Sequence, residues 1–582
     1  MSPFDAAYPE VKTNDIHREY DYIIVGGGTA GCVLANRLST SPGTTVLVIE
    51  RGPVADSWAS RVPLLSSDFA SDGSRTQKRE STFQPAINRT VELCTGSILG
   101  GSSRINSMIY TRGLRQEYDQ MKEAGLKGWG WEDVEPLFKK SEKALGPGEI
   151  DEDVHGVNGE WCNQTNTSLQ FPGFTKTVSA TTAIGLPYVP DVNSPKHPVL
   201  GCGLLHFTRD ASQRRHSTYH AFLPPSLAYE RRDRLHIATN TIVEKINVES
   251  GEATGVTLVA RYDQKERKTV KAKKEVILCA GPFGSPHMLM LSGIGPKEHL
   301  TKHGIEVVKD LPEVGQNLQD HFGVSSCYYI PMNESLLGLE RRPWMFFIEL
   351  FKYLVFGTGL LLAPVVQLII FASSLHLDDR GLPSKSEMID EKTVPDIEIM
   401  PMAYDTATVL IEKSHGTFSF LATLLHPKSS GVVQLTSADP SAPLHIDVGY
   451  LTNPADLPPL RTALRLCMRI REQMQKEGYT LAEWKGASPA DESDEALDEF
   501  IHRRNRTTYH YSSTCRMAAS EDRAGKDGKG GVVDEQLRVF GVKKLRVADS
   551  SVFPWVLGTH LQAPTVCVAE KCAEILLREK MD

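Results

Sequence analysis

Three glycines and one carboxylate near the start of the 582-residue chain carry the first legible chemistry: Gly26, Gly28 and Gly31, with Glu50 downstream. The interval Gly-x-Gly-x-x-Gly suits a backbone that turns sharply, approaches a diphosphate and then packs a helix on a strand. Gly26 permits the turn, Gly28 keeps a side chain out of the pyrophosphate's path, and Gly31 lets helix and strand touch. Thr29 and Ala30 open that helix, whose positive end receives the anion. Glu50 follows about twenty residues on, where a carboxylate can accept hydrogen bonds from ribose hydroxyls and repel a 2′-phosphate. The ligand read from these residues is an ADP-containing dinucleotide, FAD or NAD.

The elements that must position these residues are visible around them. Tyr22-Ile23-Ile24-Val25 is a short continuous apolar run, as a strand buried in a parallel sheet requires. AGCVLANRLS, from Ala30, has apolar positions at helical spacing, and Thr45–Ile49 forms a second buried strand ending at Glu50. Far downstream, HGTFSFLATLLHP and GVVQLTS read as successive strands, while LPPLRTALRLCMRIREQMQ has helical periodicity.

Bulk properties narrow the function classes. The chain is 40% hydrophobic and 23% charged, an ordinary globular composition, and its length suggests two to four domains. A net charge of −8 leaves no footprint for a nucleic-acid backbone. The ten cysteines are scattered without a CxxC pair, so no metal site is expected. Several lie in apolar runs, as buried free thiols do, which points to a reducing, intracellular and cytoplasmic setting. The N-terminal MSPFDAAYPEVKTNDIHREYDY has no apolar core of a secretory signal. Residues 353–377 carry no charge and are long enough to span a bilayer, but Gly357, Gly359, Pro364 and Gln367 interrupt them. A buried pair of elements or an active-site wall is expected there, with a surface that docks on membranes or partners as the alternative, and not a membrane span.

Two longer blocks identify a family. Leu99-Gly100-Gly101-Ser102-Ser103-Arg104-Ile105-Asn106-Ser107 through Gly113, and Gly281-Pro282-Phe283-Gly284-Ser285-Pro286 through Pro296, resemble the two signatures of the glucose–methanol–choline (GMC) oxidoreductases. Val314–His321 and Leu545–Pro554 are similar to two further family blocks, in the family's order. The resemblance implies FAD and an α/β, Rossmann-like, discontinuous FAD-binding domain with an inserted α+β substrate-binding domain. The FAD-binding segments are expected at 17–165, 214–322 and 505–582, and the substrate-binding segments at 166–213 and 323–504. Gly100, Gly101 and Ser102 would let backbone approach the cofactor, and the turn at Asn106 would bring donors toward the flavin edge. The resemblance sets Val243 against the adenine and places Asp549 and Ser550 in a cofactor-binding block. Ile105 occupies the slot where some members bear a histidine bonded to the flavin, so non-covalent FAD is expected.

The resemblance also selects the catalytic candidates. His510, in HYSSTCRM, stands in the slot of the family's catalytic histidine, and His560, in HLQAPT, in a slot that carries His or Asn. An alcohol gives up hydride to flavin N5 readily only if its hydroxyl proton is taken at the same time, and imidazole suits that task near neutral pH. His321 and His287 are read as structural. Ser513 and Ser107 stand where relatives usually have glycine, and Thr95 and Ser97 replace basic residues that commonly precede LGGSS. The expected function is oxidation of a small-molecule alcohol at its CH–OH group, with dioxygen as acceptor. The alternatives are a dehydrogenase passing electrons to a quinone or other carrier, and a flavoprotein diverted to non-redox chemistry. The apolar run 353–377 hints at a hydrophobic or aromatic alcohol.

Overall fold

The computed structural model describes residues 8–67, 73–146, 150–166, 168–362, 364–384, 393–405, 414–519 and 530–579. Two sheets organise them. The first contains Glu19–Val25 (β1), Val46–Ile49 (β2), Leu235–Ala238 (β3), Thr241–Glu249 (β4), Glu252–Ala260 (β5) and Arg267–Leu278 (β6), in the order β3-β2-β1-β6-β5-β4. Leu545–Val547, from the far end of the chain, lies parallel beside β6. β1 pairs in parallel with β2 on one side and β6 on the other, in the register Ile24↔Val48 and Ile24↔Ile277. Ile23, Ile24, Leu47 and Val48 have no exposed surface, as their continuous apolar runs demand in a sheet covered on both faces.

Helix Thr29–Leu38 (α1) follows β1 directly and packs against the terminal helix Gln562–Arg578. Helix Gly281–Leu291 (α2) follows β6 in the same way. Parallel strands feeding helices place loop ends on one edge of the sheet, the edge where ligands of such sheets bind.

The second sheet contains Phe322–Ile330 (β7), Leu368–Ala372 (β8), Ile397–Met402 (β9) and Gly416–Leu424 (β10), in the order β7-β10-β9-β8 followed by Gly201–Leu204. Its inner face packs on helix Leu457–Lys476, whose apolar stripe includes Leu460, Leu464, Cys467 and Ile470. Asn505–Thr507, expected to begin the last segment of the first body, pairs instead with β7 of the second sheet, in the register Phe322↔Thr507. Each sheet anchors its own apolar core.

The stretch 353–377 is not buried along its length. Gly357 (φ 60°) and Gly359 (φ 100°) make the turn that their spacing suggests. Beyond it, Val366 and β8 are buried in the second sheet. Before it, Leu354, Val355 and Phe356 are 62%, 56% and 65% exposed. The expectation of a buried pair fails for this first half, because it continues helix Pro343–Phe351, whose apolar side faces away from the core. Among the described residues, no helix is long and apolar enough to cross a membrane. All ten cysteines are free, and all but Cys162 are buried.

Candidate active site

The glycine loop is built as its residue types require. Gly26 has φ 105°, and a Cβ there would lie 2.4 Å from the Cys279 carbonyl oxygen; at Gly31 it would lie 2.0 Å from that of Gly26. Gly28 differs. A Cβ on it would meet nothing closer than the Cys279 oxygen at 3.8 Å and Gly101 Cα at 3.9 Å. The loop is therefore open at Gly28 alone of the three, and α1 starts there without a side-chain cap. Uncapped N–H groups at a helix start form a ready anion site.

A cavity of about 420 Å³ begins at this loop. Gly26, Gly28, Thr29, Ala30 and Glu50 line it, as do Gly101, Ser102 and Asn106. Val243, Asp549 and Ser550 line it further, and His510 and His560 stand in it too. Gly31 and Gly100 are not in its wall. They act by packing: Gly31 under α1, and Gly100 (φ 96°) through its N–H, which donates to the Gly27 carbonyl at 2.7 Å.

Several candidates are already engaged within the protein. Glu50 accepts the Gly27 and Gly52 N–H groups at 2.9 and 2.7 Å, and burial pushes its carboxyl up to about 7 against those two donors. Asn106 donates to Gln562 at 2.8 Å and accepts from Arg215 at 2.8 Å and from the Met108 N–H at 3.0 Å. Asp549 accepts the Gly281 N–H at 2.9 Å and the Ser285 hydroxyl at 2.6 Å, tying α2 to the C-terminal block. Ser550 donates to the Tyr511 carbonyl at 3.3 Å.

One charged lining residue carries no signal in the sequence. Arg79, on the hairpin Thr76–Glu80/Glu92–Gly96, donates to Thr95 at 2.9 Å and to Gln77 at 2.7 Å and lies over the Phe283 ring. No carboxylate pairs with it among the described residues. Burial, reinforced by Arg51, lowers its guanidinium to about 10. A cation in such a wall calls for an anion in the cavity. Arg79 thus reaches diagonally across the hairpin to Thr95, where the sequence lacks an expected basic residue.

The histidines meet in the same cavity. The rings of His510 and His560 stand 4.7 Å apart and nearly perpendicular, at 85°. His510 Nδ1 lies 2.9 Å from His321 Nδ1, and the His510 backbone N–H donates to Asp320 at 2.7 Å. His560 Nε2 lies 2.9 Å from Glu398 Oε1, and both residues are buried. Burial, then His560 and His321, hold the His510 imidazole well below its ordinary range. Burial likewise depresses His321, followed by His426 and His560. His321 and His287 lie closer to the chemistry than a structural reading implies. His321 touches His510, and His287 on α2 lines the cavity, lowered to about 4 by burial and by Arg79 and Arg51. Glu398 was missed outright; its one signal is a lone acid inside the apolar strand β9.

Among the described residues, one group has metal-like spacing, His155, Asp191 and His206. His155 spans Glu142 and Asp191 at 3.0 and 2.8 Å, and these partners raise it, against burial, to about 9.

Models of the GMC oxidoreductase family match residues 20–323 and 427–569. The chain belongs to the GMC oxidoreductases. It is 33% identical to the oxygen-dependent choline dehydrogenase of Pseudomonas syringae pv. tomato, over 96% of this chain and 93% of that one. Among solved structures, an FAD-dependent oxidoreductase from Chaetomium thermophilum superposes with a TM-score of 0.83 at 26% identity, covering 97% of this chain and 100% of that one. A fungal aryl-alcohol oxidase does so with a TM-score of 0.81 at 26% identity, with the same coverage. As a GMC oxidoreductase, the protein is an FAD-dependent enzyme acting on the CH–OH group of its donor. The residues present fit that cofactor, with an open cradle at Gly28, an uncapped helix start and a cavity-lining cation that has no carboxylate partner among the described residues.

Proposed function

We propose that this enzyme oxidises a hydrophobic or aromatic alcohol with dioxygen as acceptor, using His510 as the base and His560 to orient the hydroxyl. The observation that carries this reading is the perpendicular imidazole pair in a cavity that begins at the dinucleotide loop. Bound FAD supplies the hydride acceptor.

Hydrogen bonding assigns each nitrogen a task. His510 Nδ1 is taken by His321, so the nitrogen left for a substrate proton is Nε2. For Nε2 to hold a lone pair, Nδ1 must carry the proton and donate it to His321 Nδ1. His321 then bears its own proton on Nε2. Glu398 as a carboxylate can only accept, so His560 donates from Nε2 and offers Nδ1 to the hydroxyl. The depressed His510 imidazole is neutral at neutral pH, and the base remains competent below the ordinary histidine range.

Gly28 and the start of α1 would receive the diphosphate, Arg79 would balance its charge, and Val243 would back the adenine. Ile105 lines the same cavity with a hydrocarbon side chain, which supports FAD held without a covalent bond. Val365, Val366, Met400, Met402 and Leu421 form an apolar wall from the second sheet. Glu398 is fully buried beside His560 and does not line the cavity, so this apolar wall favours an uncharged apolar donor. The test is anaerobic bleaching of the flavin absorbance by a panel of alcohols, followed by peroxide measurement in air. Bleaching by aromatic and long-chain alcohols with stoichiometric peroxide is expected. Bleaching without peroxide would replace dioxygen with a quinone or other carrier, and no bleaching would refute the substrate class.

A further inference from the structure

One helix of this protein is turned inside out. Along Pro343–Phe351 and the single π-helical turn Lys352–Phe356, the stripe that faces water is the apolar one. Trp344, Phe347, Ile348 and Phe351 are 59%, 66%, 46% and 57% exposed, at helical spacing, and Leu354, Val355 and Phe356 extend the stripe at 62%, 56% and 65%. The acid of the segment points the other way. Glu349 is buried and accepts from Lys352 Nζ and the Leu360 N–H, each at 2.7 Å. A helix stabilised by an aqueous surface has the opposite arrangement.

These side chains leave on the order of 700 Å² of apolar surface exposed, taking about 150–250 Å² for a whole aromatic side chain. That exceeds the roughly 300–600 Å² of the largest patch on a typical monomer. The occupant is indicated by charge. Arg341, Arg342 and Lys352 flank the stripe, with Glu340 beside Arg341 and Glu349 paired to Lys352, which leaves one net positive charge here in a chain whose net charge is −8. A second copy related by a twofold axis would set these cations against each other. Anionic headgroups would complement them, and Trp and Tyr side chains with flanking Lys and Arg suit the membrane–water boundary. Trp58 extends the patch, with its ring 5.8 Å from that of Tyr353. The nine-residue helix is about 14 Å long, too short to cross a bilayer but suited to lie in its surface. The same segment runs on to Val365 and Val366 in the cavity wall, which connects the patch to the active site.

We propose that residues 343–356 form a docking surface that beds into the headgroup–acyl boundary of an anionic lipid bilayer. The FAD-loaded enzyme should sediment with vesicles of phosphatidylcholine mixed with phosphatidylglycerol, and more weakly with phosphatidylcholine alone or at high salt. The triple variant Phe347→Glu/Phe351→Glu/Leu354→Glu should keep its FAD and lose this binding by at least about tenfold. Brominated acyl chains should quench part of the tryptophan fluorescence, and Trp344→Phe should reduce that part. Absence of vesicle binding, or equal binding by the triple variant, would overturn the proposal. So would light scattering that shows a dimer which the same variant dissolves, since a second copy would then cover the patch.

Discussion

Replacing His321 by alanine should slow substrate-driven flavin reduction by about ten- to a hundredfold, and most strongly at acid pH. The hydrogen bond lost is the 2.9 Å contact between Nδ1 of His321 and Nδ1 of His510. A buried bond of this kind contributes about 0.5–1.5 kcal/mol. If all of it serves to hold the reactive geometry, its loss lowers the rate about 2- to 13-fold. A second effect adds to the first, because without His321 only the longer 3.4 Å contact of Nδ1 with the Thr508 hydroxyl is left to keep the lone pair of His510 on Nε2. The total stays below the loss expected for removing the base itself. The pH dependence separates this from mere loosening. Burial is the main cause of the depressed His510 imidazole, and His321 adds to it. Deleting the neighbouring ring reduces both, so the His510 pKa moves up toward its ordinary value. The base works only when neutral, so a higher pKa leaves less of it active at pH 6 and the acid limb shifts to higher pH. The assay is anaerobic stopped-flow bleaching from about pH 5 to 9, a range that brackets an ordinary imidazole. FAD content and melting temperature serve as controls. His321→Asn, whose amide oxygen can accept the Nδ1 proton, should recover part of the rate and shift the limb less. An alanine variant with the parent rate and the parent limb would refute the relay. A pH-independent loss that asparagine does not relieve would do the same.

His510→Ala should slow flavin reduction by about 10²–10⁴-fold with FAD retained, and His560→Asn should do less harm; a His510→Ala enzyme within a few-fold of the parent would remove the base assignment. Gly28→Val should yield a folded protein without FAD, because its Cβ meets no atom closer than 3.8 Å while the added methyls enter the cavity. Gly31→Ala should instead be destabilised by about 1–3 kcal/mol or more, since its Cβ would stand 2.0 Å from a backbone oxygen. Stoichiometric FAD in Gly28→Val, read by absorbance, would contradict the cradle. Denaturing the purified enzyme should release its FAD into the supernatant, because Ile105 offers no atom for a covalent link; flavin precipitating with the chain would show attachment elsewhere.

Local order along the chain was enough to reveal the dinucleotide loop. The spacing of Gly26, Gly28 and Gly31 follows a strand, a turn and a helix, and Gly31 answers a contact five positions away, although the carbonyl that closes on Gly26 comes from distant Cys279. The same holds for the strand register of β1 and β2 and for helix Leu457–Lys476, whose periodicity records which face is buried. The family blocks extended that legibility to FAD and to the slots of His510 and His560.

What the one-dimensional pattern could not reveal is who touches whom across long separations. Glu398 reaches His560 from a strand of the other sheet, and Arg79 meets Thr95 only because a hairpin closes between them. His321 is a signature-block residue that reads as structural until folding brings its Nδ1 within 2.9 Å of His510. The exposed face of Trp344–Phe356 is the reverse case. Its composition resembles a core element, and composition records how apolar a segment is but not which way its backbone turns it. Residue type and spacing therefore determined the dinucleotide class and the paired sheet-and-helix units, and the family blocks pointed to FAD and to the slots of His510 and His560. Tertiary packing alone decided their protonation geometry, their partners and the outward apolar stripe, because burial and hydrogen-bond direction are set by neighbours distant in the chain.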